Sequence, residues 1–506
     1  MKVRIDGRAW MPLEDLPPAA RVSIRETLTI QPKQTSEHSK ATPPIRLYAE
    51  EDGLIGVPRG FFDQNVTGKH DYDVRVAQGG AMGAGVSAKM FQGDTDGKYA
   101  EQNTAVAEMI KLLTAKPWGG GILQAPTGTG KTIMGLRIAA ELGRRTLIVV
   151  NKGFFLRQWT SRIRQVFPQA KIGIVQGPKC QHEGMDFVIG MVHTLSQRDF
   201  PDGFYRSFGL VLTDEVHRIG APTWADVVPQ FSAAYRVGLT ATPRRKDGAQ
   251  DVFFHHIGAI AYRLKSEPMI PLIRRVIAPF QPDTIRQYGK EIEPGDQSTS
   301  QIVSQMVTDP FYNRTIAIDL SKAIVAGRKV LVVSERLEHL WTLSVLTREV
   351  HTRAGHPDFT SSFATGQQYV LDESGERIEI RRKTGLEFKT RPTTDADLDS
   401  GEEAQVVYAT KQMIEEGFDI PALDTLALVT PVSDVEQIAG RVRRWCFPEA
   451  DKCFRLCPWR AGKCKGKPDP IVMDVRTPDW PALMNKATRR EGFYVSIGAK
   501  FKAPKA

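Results

Sequence analysis

Short apolar runs recur along the chain at intervals that leave room for a helix between each pair. From Tyr99 to about Leu264 they read GGGILQA, TLIVV, KIGIVQ, FVIGM, GLVLT and YRVGLT, separated by helix-like stretches such as Thr132 to Leu142. Runs this short, apolar on both faces and bounded by turns, predict the buried strands of a parallel α/β sheet. The pattern thins across SEPMIPLIRRVIAPFQPDTIRQYGKEIEPG, which reads as a connector, then resumes with KVLVVS, EAQVVYAT, DTLALVT and PIVMDV. A second α/β lobe follows. Ahead of both, residues 1–98 mix short apolar runs with Pro and Gly and predict a small, partly β accessory domain with a role in recognising the substrate. It ends in the Gly-rich linker QGGAMGAGVSAKMFQGD.

The expected organisation is an accessory domain and linker over 1–98, a first lobe over 99–265, a second lobe over 266–485 and a basic tail over 486–506. Within the second lobe, residues 366–403 are polar and heavily charged and read as an inserted hairpin or surface loop. No internal repeat of short period is present. A chain of 506 residues exceeds one hydrophobic core, and at roughly 150 residues per domain it predicts about three.

Composition narrows the class. With 41% hydrophobic and 25% charged residues the chain matches neither a disordered nor a membrane-embedded protein. Lys and Arg number 68 against 58 Asp and Glu, a net charge of +10 that favours a polyanion such as nucleic acid. Basic enzymes with small substrates are common, so charge alone decides little. The opening MKVRIDGRAWMPLEDLPPAA lacks the apolar core of a signal peptide, and no run approaches the ~20 apolar residues of a membrane span. The expected location is the cytoplasm, that of the host for a phage-encoded chain.

The strongest local signal is Ala125-Pro-Thr-Gly-Thr-Gly-Lys131-Thr132, set between the strand-like GILQ and a helix-like stretch. That is the context a phosphate-binding loop requires. Thr127, Gly128, Thr129 and Gly130 supply the loop, whose glycines let backbone N–H groups turn inward at a helix N-terminus. Lys131 is placed to reach the β- and γ-phosphates of ATP, and Thr132 to ligate Mg²⁺. The first position of the loop is Ala where the general pattern has Gly. The other half of such a site is an acidic pair ending a buried strand, and FGLVLT followed by Asp214-Glu215-Val216-His217 supplies it. Asp214 is the candidate Mg²⁺ ligand through water, and Glu215 the base that orients and deprotonates the attacking water.

Taken in order, these motifs resemble superfamily 2 helicases, in particular the group containing XPB and the phage UvsW-type branch-migration helicases. The resemblance covers about Tyr99 to Thr477 and implies two tandem RecA-like lobes. It places Gln102 against adenine, although the neighbourhood YAEQN departs from the family's and an exposed helix-start glutamine reads the same way. In LIVVNKGFFLRQW, Lys152, Gln158 and Trp159 match the motif that grips the nucleic-acid backbone; Trp159 reads equally as core packing. Thr194, in VIGMVHTLSQR, falls in the next strand-binding motif. DEVHRIGAPTW followed by GLTATPRRKDG assigns His217, Thr240 and Thr242 to coupling the γ-phosphate state to movement.

In the second lobe, Val435-Glu-Gln-Ile-Ala-Gly-Arg-Val-Arg-Arg444 resembles the QxxGRxxR motif, in which Gln437, Arg441 and Arg444 complete the catalytic charge. Helical spacing predicts that these three share a face. VVYATKQMIEEGFDIPALDTLALVTP resembles the motif joining ATP and strand contacts, with Glu416, Gly417 and Asp419 matching. Asp419 is the candidate for ribose or the γ-phosphate network, or else a turn cap, and Thr410 lies nearer the nucleic-acid backbone.

Directly after the arginine motif comes C-x6-C-x3-C-x6-C, formed by Cys446, Cys453, Cys457 and Cys464. Four thiolates in a reducing compartment read as a structural Zn²⁺ site before disulfides, with an iron–sulfur cluster or free thiols as the other readings. Lysines, arginines and Trp459 interleave with them, a composition suited to nucleic acid. Cys180 stands apart as a lone thiol.

The expected function is an ATP-driven DNA helicase or translocase, dependent on ATP and Mg²⁺. Its lobes close on ATP and reopen with a shifted grip on single-stranded, duplex or branched DNA, in replication, recombination or repair. An RNA helicase, a restriction-system motor and a scaffold retaining an inactive motor fold are the competing readings. Intact Lys131, Thr132, Asp214, Glu215, Gln437, Arg441 and Arg444 disfavour the last.

Overall fold

The computed structural model describes residues 1–33, 43–91, 99–126, 129–219, 221–245, 247–265, 269–287, 289–382, 385–415, 420, 422–433, 435–443, 468–478 and 480–502. The chain divides into two compact units, Met1–Ser266 and Glu267–Ala506. Among the described residues no helix is long and apolar enough to cross a membrane.

The first unit holds two sheets. The N-terminal one is built from β1 (Lys2–Ile5), β2 (Ala9–Pro12), β5 (Ala49–Glu51), β6 (Leu54–Val57) and β7 (Asp71–Val74), in the order β5-β6-β2-β1-β7. A short ribbon, β3 (Thr29–Ile30) with β4 (Ile45–Arg46), and helices α1 (Pro18–Thr27) and α2 (Arg59–Asn65) accompany it. The second sheet comprises β8 (Gly119–Gln124), β9 (Thr146–Val150), β10 (Ile172–Gln176), β11 (Lys179–Cys180), β12 (Phe187–Met191), β13 (Leu210–Thr213), β14 (Tyr235–Thr240) and β15 (Ile260–Arg263). Its order is β11-β10-β12-β9-β13-β14-β8-β15, parallel except at the β10–β11 hairpin. Between the strands lie α3 (Ala100–Thr114), α4 (Lys131–Leu142), α5 (Gly153–Val166) and α6 (Val192–Gln197). This is the parallel α/β lobe expected from the apolar runs.

The described residues before Tyr99 fall within the same compact unit as this lobe. One apolar cluster runs from Val3, Ile5 and Met11 through Phe61 and Phe62 to Trp118, Ile122 and Leu147. The turn between β1 and β2 comes close enough to the segment ahead of β14 to need glycine: a Cβ on Gly7 would lie 1.8 Å from Pro229 O. Buried arginines join the two sides. Arg236 donates to the carbonyls of Gly7 (2.8 Å), Phe231 (3.0 Å) and His256 (3.1 Å), and Arg59 to Ala233 O (2.9 Å). Sequence periodicity is blind to such long-range contacts, which is why the segment reads as separate.

The second unit centres on β16 (Leu272–Ile277), β19 (Val330–Ser334), β20 (Ser361–Ala364), β25 (Val406–Thr410), β26 (Thr425–Leu428), β27 (Ile471–Arg476) and β28 (Lys500–Phe501). All pair in parallel, in the order β20-β25-β19-β26-β27-β16-β28. A small hairpin, β17 (Ile285–Gln287) with β18 (Lys290–Ile292), follows β16. Residues 366–403 form a nested hairpin, β21 (Gln367–Tyr369) on β24 (Thr390–Pro392) and β22 (Glu379–Arg382) on β23 (Gly385–Phe388), and then the helix Asp395–Glu403. Arg377 stacks over Phe388 at 3.7 Å and braces the hairpin.

Two segments depart from expectation. The connector contains β16, an inner strand of the second sheet. Its apolar run is broken by Arg274 and Arg275, which pair with Asp319 and Glu491. The supposed tail is structural as well: most of 486–502 lies in the helix Pro481–Ser496 and in β28. Arg490 of that helix reaches the buried Asp474 of β27 at 2.7 Å, and Arg476 meets the same carboxylate at 2.9 Å.

The second unit also buries a neutral histidine. His339 Nε2 lies 2.9 Å from Asn313 Oδ1, and its Nδ1 3.0 Å from Ser334 Oγ. Asn313 donates its Nδ2 to Val307 O, so its Oδ1 accepts and the ring proton sits on Nε2. Burial pushes this imidazole down to about 3 from its ordinary 6.5. The unfolded chain takes up a proton near pH 6.5 and the folded one does not until about pH 3. Stability contributed by the neutral ring is therefore present above pH 6.5 and lost as pH falls through this window, at up to about 1.4 kcal/mol per unit. Melting curves across this range are expected to fall less steeply for His339→Asn than for the wild type. Equal slopes would assign the acid sensitivity elsewhere.

Candidate functional site

Parallel strands carry their C-terminal ends to one edge of a sheet, where α/β proteins place ligands. In the first unit β8, β9, β12, β13 and β14 all run parallel. The segments just beyond them are the phosphate loop, Lys152, Thr194, the acidic pair and Thr240–Thr242. Residues scattered over more than a hundred positions thus meet at one edge.

The loop after β8 ends at Gly130, whose φ of +86° suits glycine. A Cβ there would meet nothing within 4 Å, so the backbone turn and not room selects the residue. Thr129 braces the turn by donating its hydroxyl to Pro126 O at 2.7 Å. Helix α4 begins at Lys131 with no side-chain cap on its first N–H groups, which leaves them directed at the loop. Thr132 lies on its first turn. Thr127 and Gly128 lie outside the described residues.

Lys131 Nζ is 3.2 Å from Glu215 Oε1, both side chains largely buried. Asp214 sits beside them at the end of β13. Its Oδ1 accepts from Glu215 N and its Oδ2 from the indole Nε1 of Trp159, each at 2.9 Å. Burial pushes the Asp214 carboxyl up, and Glu215 adds to the rise; Lys131, Trp159 and the Glu215 N–H oppose it. Glu215 itself adopts φ +45°, ψ +54°, a left-handed conformation costing roughly 1–2 kcal/mol for a residue with a Cβ.

The acidic pair is wired to the strand-end loop after β14. His217 Nδ1 is 2.9 Å from Thr240 Oγ1 and 3.5 Å from Glu215 Oε2. The Thr240 hydroxyl donates its one proton to Thr242 O at 2.9 Å, so Nδ1 of His217 carries hydrogen and donates to it. Arg245 donates to the carbonyl of His217 at 3.0 Å and pairs with Asp247. Its cross-link was not legible in the sequence.

The carboxylates of Asp214 and Glu215 stand side by side next to the Lys131 ammonium. That donor set, with the Thr132 hydroxyl and the start of α4, fits Mg²⁺ together with a nucleoside triphosphate. The other candidates of this unit lie around it. Gln102 is half-buried on the first turn of α3, which is tied to α4 through Asn103 and Arg137. Lys152 caps α5 by its backbone and Gln158 lies half-buried on that helix. Thr194 on α6 accepts from Gly177 N at 2.9 Å, so its hydroxyl also holds a turn. Trp159 is fully buried, which settles its place in the core, yet it reaches the acidic pair.

In the second unit Thr410 ends β25, and the helix Lys411–Glu415 follows. The buried guanidinium of Arg441 donates to Ile414 O at 2.9 Å, so the two motifs of this unit meet. The helix carrying Gln437 ends at Gly440 with Arg441 as its C-cap residue. Among the described residues the helix does not continue past Gly440. The side chain of Gln437 and all of Glu416, Gly417, Asp419, Arg444, Cys446, Cys453, Cys457 and Cys464 lie outside the described residues.

Comparison with known proteins gives a family match and several relatives. Residues 98–245 match the family described as type III restriction enzyme, res subunit. A putative ATP-dependent RNA helicase, L396, of Acanthamoeba polyphaga mimivirus is 24% identical over 83% of this chain and 74% of its own length. The probable helicase D10 of Escherichia phage T5 is 28% identical over 70% and 67%. The DNA 3'-5' translocase XPB2 of Sulfurisphaera tokodaii is 31% identical over 29% and 33%.

Proposed function

From the premise that the chain belongs to the superfamily 2 helicase group, we propose that it is an ATP-dependent DNA translocase of the XPB and UvsW type that remodels forked or branched DNA. One observation carries the reading: the sheet edge that joins Lys131, Asp214 and Glu215 also presents α5, which is capped by Lys152 and bears Gln158. Hydrolysis and grip on a polyanion share a single frame.

In this reading the N–H groups at the start of α4 and the Lys131 ammonium hold the phosphates, and Gln102 meets the adenine. Asp214 and Thr132 hold Mg²⁺, which when bound neutralises charge developing on the transferring phosphoryl group. Glu215 accepts the proton of the attacking water. His217, Thr240 and Thr242 transmit the state of the phosphates to the strand-end loop. Gln437, Arg441 and Arg444 remain assigned to the charge of the transition state, Gly417 and Asp419 to nucleotide, and Thr194 and Thr410 to the backbone of the nucleic acid. A zinc at the four-cysteine cluster belongs to the same proposal.

DNA is favoured by the DEVH and LTATP strings with their XPB-like flanks and by the translocase named among the relatives. RNA is the second reading, favoured by the name of the mimivirus relative. The match to a restriction-enzyme subunit covers residues 98–245, within the first unit. ATPase rates with single strands, blunt duplex, forks, four-way junctions and RNA decide among these. The proposal expects the largest stimulation with a branched DNA. Stimulation by RNA alone would replace it.

A further inference from the structure

Trp159 is fully buried on the core face of α5, beside Phe155, Leu156 and Ile163. A buried indole N–H needs an acceptor, and a backbone carbonyl would serve. Here the acceptor is a carboxylate, Asp214 Oδ2 at 2.9 Å. The other oxygen, Oδ1, is held at 2.9 Å by the adjacent N–H of Glu215. Asp214 is thus anchored on one side by its own strand end and on the other by a helix.

That helix has a second face. Arg157 and Arg164 are exposed on it, and Lys152 stands at its start. A helix is stiff along its length, so displacement of its basic face carries the indole with it. A shift of about 1 Å stretches such a hydrogen bond past its useful range. Partners that orient a metal ligand commonly change metal affinity when they are lost.

We propose that Trp159 is a positioning residue through which α5, when engaged with nucleic acid, sets the orientation of Asp214 and hence the affinity for the magnesium nucleotide. The inference rests on the ATPase reading above. Coupling of this kind is reciprocal, so the magnesium nucleotide in turn tightens the hold of α5 on nucleic acid.

The test uses the full chain in two forms. Trp159→Phe removes the donor and some volume. Incorporation of 3-benzothienylalanine at position 159 removes only the donor, since sulfur replaces N–H in a ring of the same shape. Binding of a fluorescent ADP analogue is followed as Mg²⁺ is titrated, with and without a single-stranded oligonucleotide. Both forms are expected to need roughly tenfold more Mg²⁺ for half-saturation. The tightening that the oligonucleotide gives the wild type is expected to disappear, while metal-free nucleotide binding and melting temperature of the benzothienyl form stay at wild-type values. An unchanged Mg²⁺ requirement together with an unchanged oligonucleotide response in that form overturns the proposal and leaves Trp159 as packing. A wild type that binds no nucleotide at any Mg²⁺ concentration overturns the ATPase reading itself, and this inference with it.

Discussion

Glu215→Gln is expected to bind ATP as well as the wild type and to hydrolyse it about a thousandfold more slowly, the scale on which a positioned general base acts. The amide keeps the shape of the side chain and can still accept a hydrogen bond from water, but it cannot take the proton. Its neutral charge also relieves repulsion with the nearby Asp214, so nucleotide affinity is not expected to fall. The measurement is steady-state turnover at saturating nucleic acid beside equilibrium binding of a fluorescent ATP analogue. Turnover within tenfold of the wild type would move the role of base to another residue.

Lys131→Ala is expected to reduce nucleic-acid-stimulated hydrolysis to the buffer background and to weaken ATP binding as well. Its ammonium lies 3.2 Å from Glu215 and lowers the cost of keeping Asp214 ionised. Removing it withdraws the charge that meets the β- and γ-phosphates and leaves two carboxylates facing the same polyanion. The two variants therefore separate by binding: Glu215→Gln retains nucleotide and Lys131→Ala loses it. Stimulated hydrolysis surviving in Lys131→Ala would show that the loop after β8 is not the phosphate site.

Much of the frame was legible because buried parallel strands leave unbroken apolar runs. TLIVV, FVIGM and YRVGLT coincide with β9, β12 and β14 residue for residue. LIRRVI hid β16, since its charges are neutralised by Asp319 and Glu491, partners far along the chain. At the site, the phosphate loop and the acidic pair carry their chemistry in local order and were read directly. The left-handed Glu215 was not, because nothing in DEVH distinguishes a residue held there by its surroundings. Trp159 could be read two ways from sequence, as grip or as core. Its contact with Asp214 spans β9 to β13 and is a product of strand order, which no local pattern encodes.

The position of β16 bears on how the chain is made. Its two neighbours in the sheet, β27 and β28, are synthesised about 200 residues later, which at roughly 5–20 residues per second is a delay on the order of tens of seconds. In that interval β19, β25 and β26 are free to pair with one another while β16 waits with both edges open. An unpaired apolar strand invites association with other chains. Arg274 meets Asp319 early, but Arg275 stays uncompensated until Glu491 arrives and keeps the waiting strand charged, so a residue that conceals the strand in the sequence guards it on the ribosome.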